Sequence, residues 1–373
     1  MGIGDAYEKF NAAVRGGFIG LAIGDALGVP VETMTREQIL AATDDKGVTC
    51  YLTPRQTRIK DTANLPAGST SDDTQLALVT SRSLVRRHGF DLYDQGLGLV
   101  DEYQRSTFGW GGTTTDAAKA MMLWRDTCGN EGRSPTVPVR RPDHDGASAG
   151  SGPAMKIYAL AVSDLFGRDT SAAVAMFHSH AIDLGRMTHG DLRACVASVA
   201  LGHAIAAFAN APDVWDAKYH RHTVDRIMEM TICVERSYRY CNARTPPFSA
   251  HLEHALNLIG NADALRTEVN KGFLAVDSVP FAIATALRHP DDFREGVLEG
   301  VNAGMDTDTI GSMVGAMLGS RAGIIGIPPE WIRDLRDRVA VLAEADALSG
   351  MLFGIDPHDA HRAVPGWNKG KLH

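Results

Sequence analysis

The sequence predicts an all-α protein, a compact single-domain helical bundle. Three observations carry the helical part of that expectation. Apolar residues recur at i, i+3, i+4 and i+7 through most of the chain. No run of five or more residues alternates polar and apolar as a half-buried strand would. Proline and glycine punctuation falls between the periodic segments.

The first helix is expected over 5–28, and it carries Gly20, Gly24 and Gly28 at four-residue spacing. Glycine costs roughly 1 kcal/mol relative to alanine inside a helix, so a stripe of it implies close approach by another backbone. Gly28 and Pro30 end the helix and leave Glu32 on the loop beyond, a candidate to lie over a ligand. Residues 42–69 mix Gly, Pro, Thr and charge and read as a long loop, as do the Gly-, Pro- and Ser-rich residues 128–150.

A helix over 74–88 is opened by Ser69-Thr70-Ser71-Asp72-Asp73-Thr74. Such residues make good N-caps, and acids favour the positive end of a helix dipole. Capping accounts for one carboxylate. Two adjacent ones flanked by hydroxyls need a counter-charge, and a hard divalent cation accepts carboxylate and hydroxyl oxygens together.

Helices over 91–107, 113–126 and 153–166 follow by periodicity. The last two are preceded by the glycine-rich turns Gly109-Trp110-Gly111-Gly112-Thr113-Thr114 and Gly150-Ser151-Gly152-Pro153. Such turns offer N–H groups to anions, but neither matches a nucleotide-binding fingerprint. The helix over 170–181 ends in His178-Ser179-His180, and His189 stands in Met187-Thr188-His189-Gly190-Asp191 ahead of the helix over 190–209. No further ligand follows at a familiar zinc spacing, so zinc is not expected here. His189 suits either a ligand-contacting loop or a helix cap.

Helices over 213–241, 249–260, 278–288 and 292–302 lead to Gly304-Met305-Asp306-Thr307-Asp308-Thr309. This second acidic cluster opens a helix over 308–323 with Gly311, Gly315, Gly319 and Gly323 in a stripe, and a last helix is expected over 329–346. A calcium EF-hand would need a longer loop and a terminal Glu. Two all-oxygen clusters instead predict a shared Mg²⁺ or Mn²⁺ site between helices, with room for two ions.

Composition bounds the rest. Of 373 residues, 44% are hydrophobic and 22% charged, with a net charge of −8, which disfavours a nucleic-acid footprint. Cys50, Cys128, Cys195, Cys233 and Cys241 are odd in number and form no C-x-x-C pair, so neither disulfides nor a thiolate metal site is expected. The first residues lack signal-peptide character, and Ala6 stands where a myristoylation motif wants Ser or Thr. The apolar runs at 192–209 and 310–327 suit buried helices better than membrane spans. A cytoplasmic protein without membrane association is expected.

Taken in order, G-D-A-L-G-V-P-V-E (24–32), S-D-D-T (71–74), S-G-P-A-M-K (151–156), T-H-G-D (188–191) and G-M-D-T-D-T-I-G-S-M-V-G-A-M-L-G-S (304–320) resemble the ADP-ribosylglycohydrolase family. The resemblance spans a core of about residues 10–335 within a single domain over 1–373. It implies a compact all-α fold with a central di-metal cleft, in which two Mg²⁺ ions (Mn²⁺ in some members) are held by Ser71, Asp72, Asp73, Asp306, Asp308 and Thr309. It implies Glu32, Asp73 and Asp306 as catalytic carboxylates, and Gly111, Gly112, Gly150, Ser151, Gly152, Met155 and His189 as the ADP-ribose lining. Met305, Ser151 and Lys156 stand where Gly, Asn and Arg are common, and Gly109 stands where arginine-directed members carry Asp. The implied reaction is release of ADP-ribose from an ADP-ribosylated protein by water attack at the anomeric carbon, with arginine the first expectation for the acceptor. The alternatives are an immunity protein that occludes a cognate ADP-ribosyltransferase toxin, and a hydrolase of serine-linked or O-acyl ADP-ribose.

Overall fold

The computed structural model describes residues 3–53, 65–131, 137–140, 148–238 and 245–354, and these form helices with no named strand among them. In chain order they are α1 (Ile3–Gly28), α2 (Arg36–Ala42), α3 (Asp72–Arg87), α4 (Leu92–Arg105), α5 (Gly112–Glu131) and α6 (Gly152–Met155). Then come α7 (Tyr158–Leu165), α8 (Ser171–Arg186), α9 (Leu192–Ala209), α10 (Ala217–Ser237), α11 (Phe248–Asn257) and α12 (Ala262–Glu268). The chain closes with α13 (Ala275–Arg288), α14 (Phe293–Val301), α15 (Thr307–Ala322), α16 (Pro329–Asp334) and α17 (Arg338–Phe353).

The two glycine-striped helices, α1 and α15, pack antiparallel at the centre. A Cβ at Gly20 would overlap the Gly315 carbonyl, one at Gly24 the Gly311 carbonyl, and one at Gly28 the Asp308 backbone. Gly16 extends the stripe against Gly319. The helix-propensity cost of these glycines is offset by backbone-to-backbone packing that a side chain would forbid. The consequence matters for the site: the C-terminal end of α1 is locked against the N-terminal end of α15, where the second acidic cluster lies.

Around this pair, α9 is buried along nearly its whole length, with Cys195, Val199 and Ile205 inaccessible. Both α1 and α9 are long and apolar enough to cross a membrane by composition, yet 89% and 94% of their apolar windows lie inside the fold. Burial within the helical core accounts for their apolarity.

Several boundaries depart from the sequence expectation. The helix expected over 153–166 breaks at Lys156–Ile157 into α6 and α7, and that over 329–346 breaks at Leu335–Asp337 into α16 and α17. The short helices α2 and α12 were not expected; α2 is started by Thr35 and Gln38 in a reciprocal capping box, α12 by the Asn261 side chain. The loop expected from 128 is helical to Glu131, and residues 132–136 lie outside the described residues. Within 42–69, residues 43–53 and 65–69 are non-helical as expected. They are pinned to the body: Val48 N donates to Asn302 Oδ1 at 2.6 Å, and Asn302 Nδ2 donates back to Val48 O at 3.0 Å. Residues 54–64 and 141–147, and Cys241, lie outside the described residues.

Candidate functional site

Three segments meet where α1, α3 and α15 converge. Ser71 is the N-cap of α3, so Asp72 and Asp73 fill its first turn. Asp306 is the N-cap residue of α15 but makes no side-chain capping bond. Its carboxylate is turned elsewhere: Oδ2 accepts from Ser151 Oγ at 3.1 Å. Across the gap, Thr309 Oγ1 donates to Asp73 Oδ2 at 3.3 Å and Ser312 Oγ donates to Asp73 Oδ1 at 2.9 Å. The two clusters, separated by more than two hundred positions, are therefore one site.

A fifth aspartate joins them that the sequence expectation did not include. Asp25, within α1, is fully buried and accepts from Ser71 N, Thr74 N and Thr74 Oγ1 at 2.9, 3.1 and 2.5 Å. It braces the turn that presents Asp72 and Asp73. Carboxylate oxygens of Asp25, Asp73 and Asp308 lie within 4.8 Å of one another, an arrangement that could hold a metal ion. The available signal was an acid inside the otherwise apolar run L-A-I-G-D-A-L-G.

The electrostatics suit a cation. Burial, and then the neighbouring Asp308, pushes Asp25 and Asp306 up to about 7. Burial alone pushes Asp308 up to about 6. Asp72 and Asp73 rise well above the carboxylate range for the same reasons, burial first and Asp308 next. Glu32, half-buried just past α1, is pushed up to about 10 by burial and by Asp308, Asp306, Asp72 and Asp25. No Lys, Arg or His pairs with any of these acids among the described residues. Buried carboxylates stay ionised only when paired or metal-bound. An all-oxygen donor set of carboxylates and hydroxyls fits a hard divalent ion such as Mg²⁺ or Mn²⁺.

The loop that carries Glu32 is held by the second cluster. Thr33 N donates to Met305 O and Met305 N donates to Met34 O, each at 2.8 Å. Thr33 and Met305 both sit at positive φ, 67° and 68°, a strained setting for a β-branched residue and for Met. Met305 therefore keeps the left-handed turn that Gly would adopt more easily.

The expected ligand lining gathers on one side of the acids. Gly150, Ser151, Gly152 and the buried Met155 form the turn into α6, and Ser151 ties that turn to Asp306. His189 is 3% exposed and packs on the turn: a Cβ at Gly152 would stand 2.6 Å from its Cε1. Gly111 and Gly112 start α5 with no protein atom within 4 Å of where a Cβ would be, so that wall is open. Gly109 is at φ +81°, and a Cβ there would stand 2.5 Å from Asp72 Oδ1. Any side chain at position 109 would reach the acids; Asp116, further along α5, points to solvent. The H-x-H pair does not converge. His178 Nε2 meets His203 Nε2 at 2.8 Å, whereas His180 Nδ1 meets Asp164 at 2.9 Å.

Comparison with known proteins then decides the family. ADP-ribosylglycohydrolase is the family matched, over residues 6–356. The chain belongs to it. The ADP-ribosylglycohydrolase relatives include the ADP-ribosyl-[dinitrogen reductase] glycohydrolase of Rhodospirillum rubrum, 23% identical over 91% of this chain and 96% of that one. ADP-ribosylhydrolase ARH3 of Homo sapiens is 25% identical over 70% of this chain and 73% of its own. A solved structure titled ADP-ribosylglycohydrolase-related protein complex superposes with a TM-score of 0.59 at 24% identity, covering 92% of this chain and 99% of that one. That structural match supports the all-α ADP-ribosylglycohydrolase fold.

Proposed function

We propose that the protein is a metal-dependent hydrolase that releases ADP-ribose from an ADP-ribosylated protein. The observation that carries this reading is the joining of S-D-D-T and D-T-D-T into one buried acidic site directly beside the Gly150–Met155 turn. Ser71, Asp72, Asp73, Asp306, Asp308 and Thr309 would hold two divalent ions, Mg²⁺ or Mn²⁺, with Asp25 as their brace. When bound, such ions supply Lewis-acid stabilisation of negative charge that develops on oxygen.

The residues of the chain do the rest. Gly111, Gly112, Gly150, Ser151, Gly152, Met155 and His189 hold the ADP-ribose and orient its C1″ towards the acids. Of the three candidate catalytic carboxylates, Asp73 already accepts from Thr309 and Ser312, and Asp306 from Ser151. The Glu32 carboxyl makes no hydrogen bond among the described residues; burial and the acids around it hold it protonated, and divalent ions that neutralise those acids would free it to act as the base. Glu32 takes a proton from water as the water oxygen attacks C1″. The bond from C1″ to the acceptor breaks, and that proton passes to the leaving group.

Arginine is the acceptor we propose first, with Glu32 as the carboxylate that meets its guanidinium, since Gly109 has no side chain to do so. The bare Gly109 also favours a second reading, a serine-linked or O-acyl acceptor that needs no such partner. ADP-ribose release from arginine-linked, serine-linked and O-acyl substrates, each with Mg²⁺, Mn²⁺ or chelator, separates them. Metal-dependent release from at least one is expected; undiminished release in full chelation would overturn the mechanism.

A further inference from the structure

Behind the Gly150–Met155 turn a buried polar chain runs from Lys156 to His189. Lys156 is 2% exposed, and its side chain's one hydrogen bond among the described residues is from Nζ to Thr188 Oγ1 at 2.9 Å. No carboxylate pairs with it among the described residues. The same hydroxyl lies 2.9 Å from His189 Nδ1 and 3.3 Å from Gly185 O.

A hydroxyl has one proton to donate, and two acceptors compete for this one. Gly185 O already accepts from Thr188 N at 3.1 Å and His189 N at 2.9 Å, so both of its lone pairs are engaged. The shorter and unfilled acceptor is His189 Nδ1. Lys156 donates into the hydroxyl oxygen, and a donor bonded there strengthens the hydroxyl's own donation. An imidazole that accepts at Nδ1 carries its proton on Nε2. That Nε2 edge faces the glycine turn: a Cβ would stand 3.1 Å from it at Gly152 and 3.4 Å at Gly150.

We propose that Lys156 is a positioning residue which, through Thr188, fixes neutral His189 with its proton on Nε2, so that the cleft wall presents a donor to an acceptor oxygen of the ligand. The ligand's identity rests on the ADP-ribose reading above, and its anionic diphosphate oxygens are the acceptors this donor suits. The neutral state has independent support: burial, then the charges of Lys156 and Arg140, hold His189 down at about 3. Burial pushes Lys156 itself down to about 7, and either protonation state keeps an N–H for Thr188.

Nitrogen-15 NMR of the imidazoles in the full-length protein, without ligand, reads the tautomer directly. The expected result is a protonated Nε2 and a bare Nδ1 in the wild type, and tautomer mixing in Thr188→Val and Lys156→Met. Lys156→Arg should restore the wild-type signature, which general loosening of the core would not do. Thr188→Val, nearly isosteric, keeps the test available if Lys156→Met does not fold. ADP-ribose binding should weaken roughly tenfold in Thr188→Val and in Lys156→Met, and stay near wild type in Lys156→Arg. A protonated Nδ1 in the wild type, or an unchanged tautomer in both Thr188→Val and Lys156→Met, would overturn the proposal. If the tautomer behaves as expected but ADP-ribose does not bind the wild type, the functional reading fails and the role of Lys156 stands.

Discussion

The acids of this chain fall into two populations that differ in who neutralises them. Near the surface, Asp94 lies 2.6 Å from Arg86 and Asp91 lies 2.9 Å from Arg87. Deeper, Asp191 is fully buried, yet Arg193 sits 2.6 Å away. At the junction of α1, α3 and α15, Asp25, Asp72, Asp73, Asp306 and Asp308 are just as buried and no basic side chain reaches them among the described residues. Burial is therefore not what separates the populations. The fold supplies a cation to one and leaves the other to be neutralised from outside.

The largest way to break that contrast is to remove a central acid. Asp308→Ala should lower kcat/KM for ADP-ribose release about a thousandfold, equivalent to ~4 kcal/mol of transition-state stabilisation. Circular dichroism should show an intact fold. A loss below about tenfold would count against a metal role for Asp308.

Next in size is the packing that assembles the site. Gly24→Val pushes a side chain into the Gly311 carbonyl and should destabilise the protein by about 3 kcal/mol. Gly111→Val, where space is open, should fall within about 0.5 kcal/mol of the wild type. Urea denaturation in excess Mg²⁺ measures both.

A pH series separates the two populations by sign. Asp25, Asp306 and Asp308 bind protons more tightly when folded than the usual carboxylate does. Metal-free protein should therefore lose stability as pH rises from about 4 towards 7, because the folded state holds protons that the unfolded state has released. Saturating Mg²⁺ should remove that decline. Asp94 has the opposite sign: burial raises it, but hydrogen bonds from Arg86 and Ser83 together with the charges of Arg86 and Arg87 hold it below the usual range, so its contribution is present at neutral pH and lost in acid. Melting temperatures across pH with chelator and with Mg²⁺ provide the check. The smallest effect comes from breaking a surface pair: Arg86 is half exposed, and Arg86→Ala should cost at most ~1 kcal/mol.

How much of this was legible in the sequence follows from the physics of each feature. The long helices were, because 3.6-residue periodicity survives in a single chain. The capped seven-residue helices α2 and α12 were not, since each is too short to show a period. The break at Lys156–Ile157 carries no Pro or Gly to mark it. S-D-D-T and D-T-D-T announced themselves because adjacent carboxylates repel without a counter-ion. Asp25 did not, because one acid in an apolar helix says nothing of its partners until Ser71 and Thr74 are placed against it. The Lys156–Thr188–His189 chain was equally hidden: its members are ordinary apart and informative only at 2.9 Å.

The central claim is that the unpaired acids are a divalent-metal site. Anomalous diffraction from crystals grown with Mn²⁺ tests it most directly. Manganese peaks bounded by Asp73, Asp306 and Asp308, and lost in Asp308→Ala, are expected. Well-folded protein with no manganese among these carboxylates, at concentrations that saturate related enzymes, would contradict it.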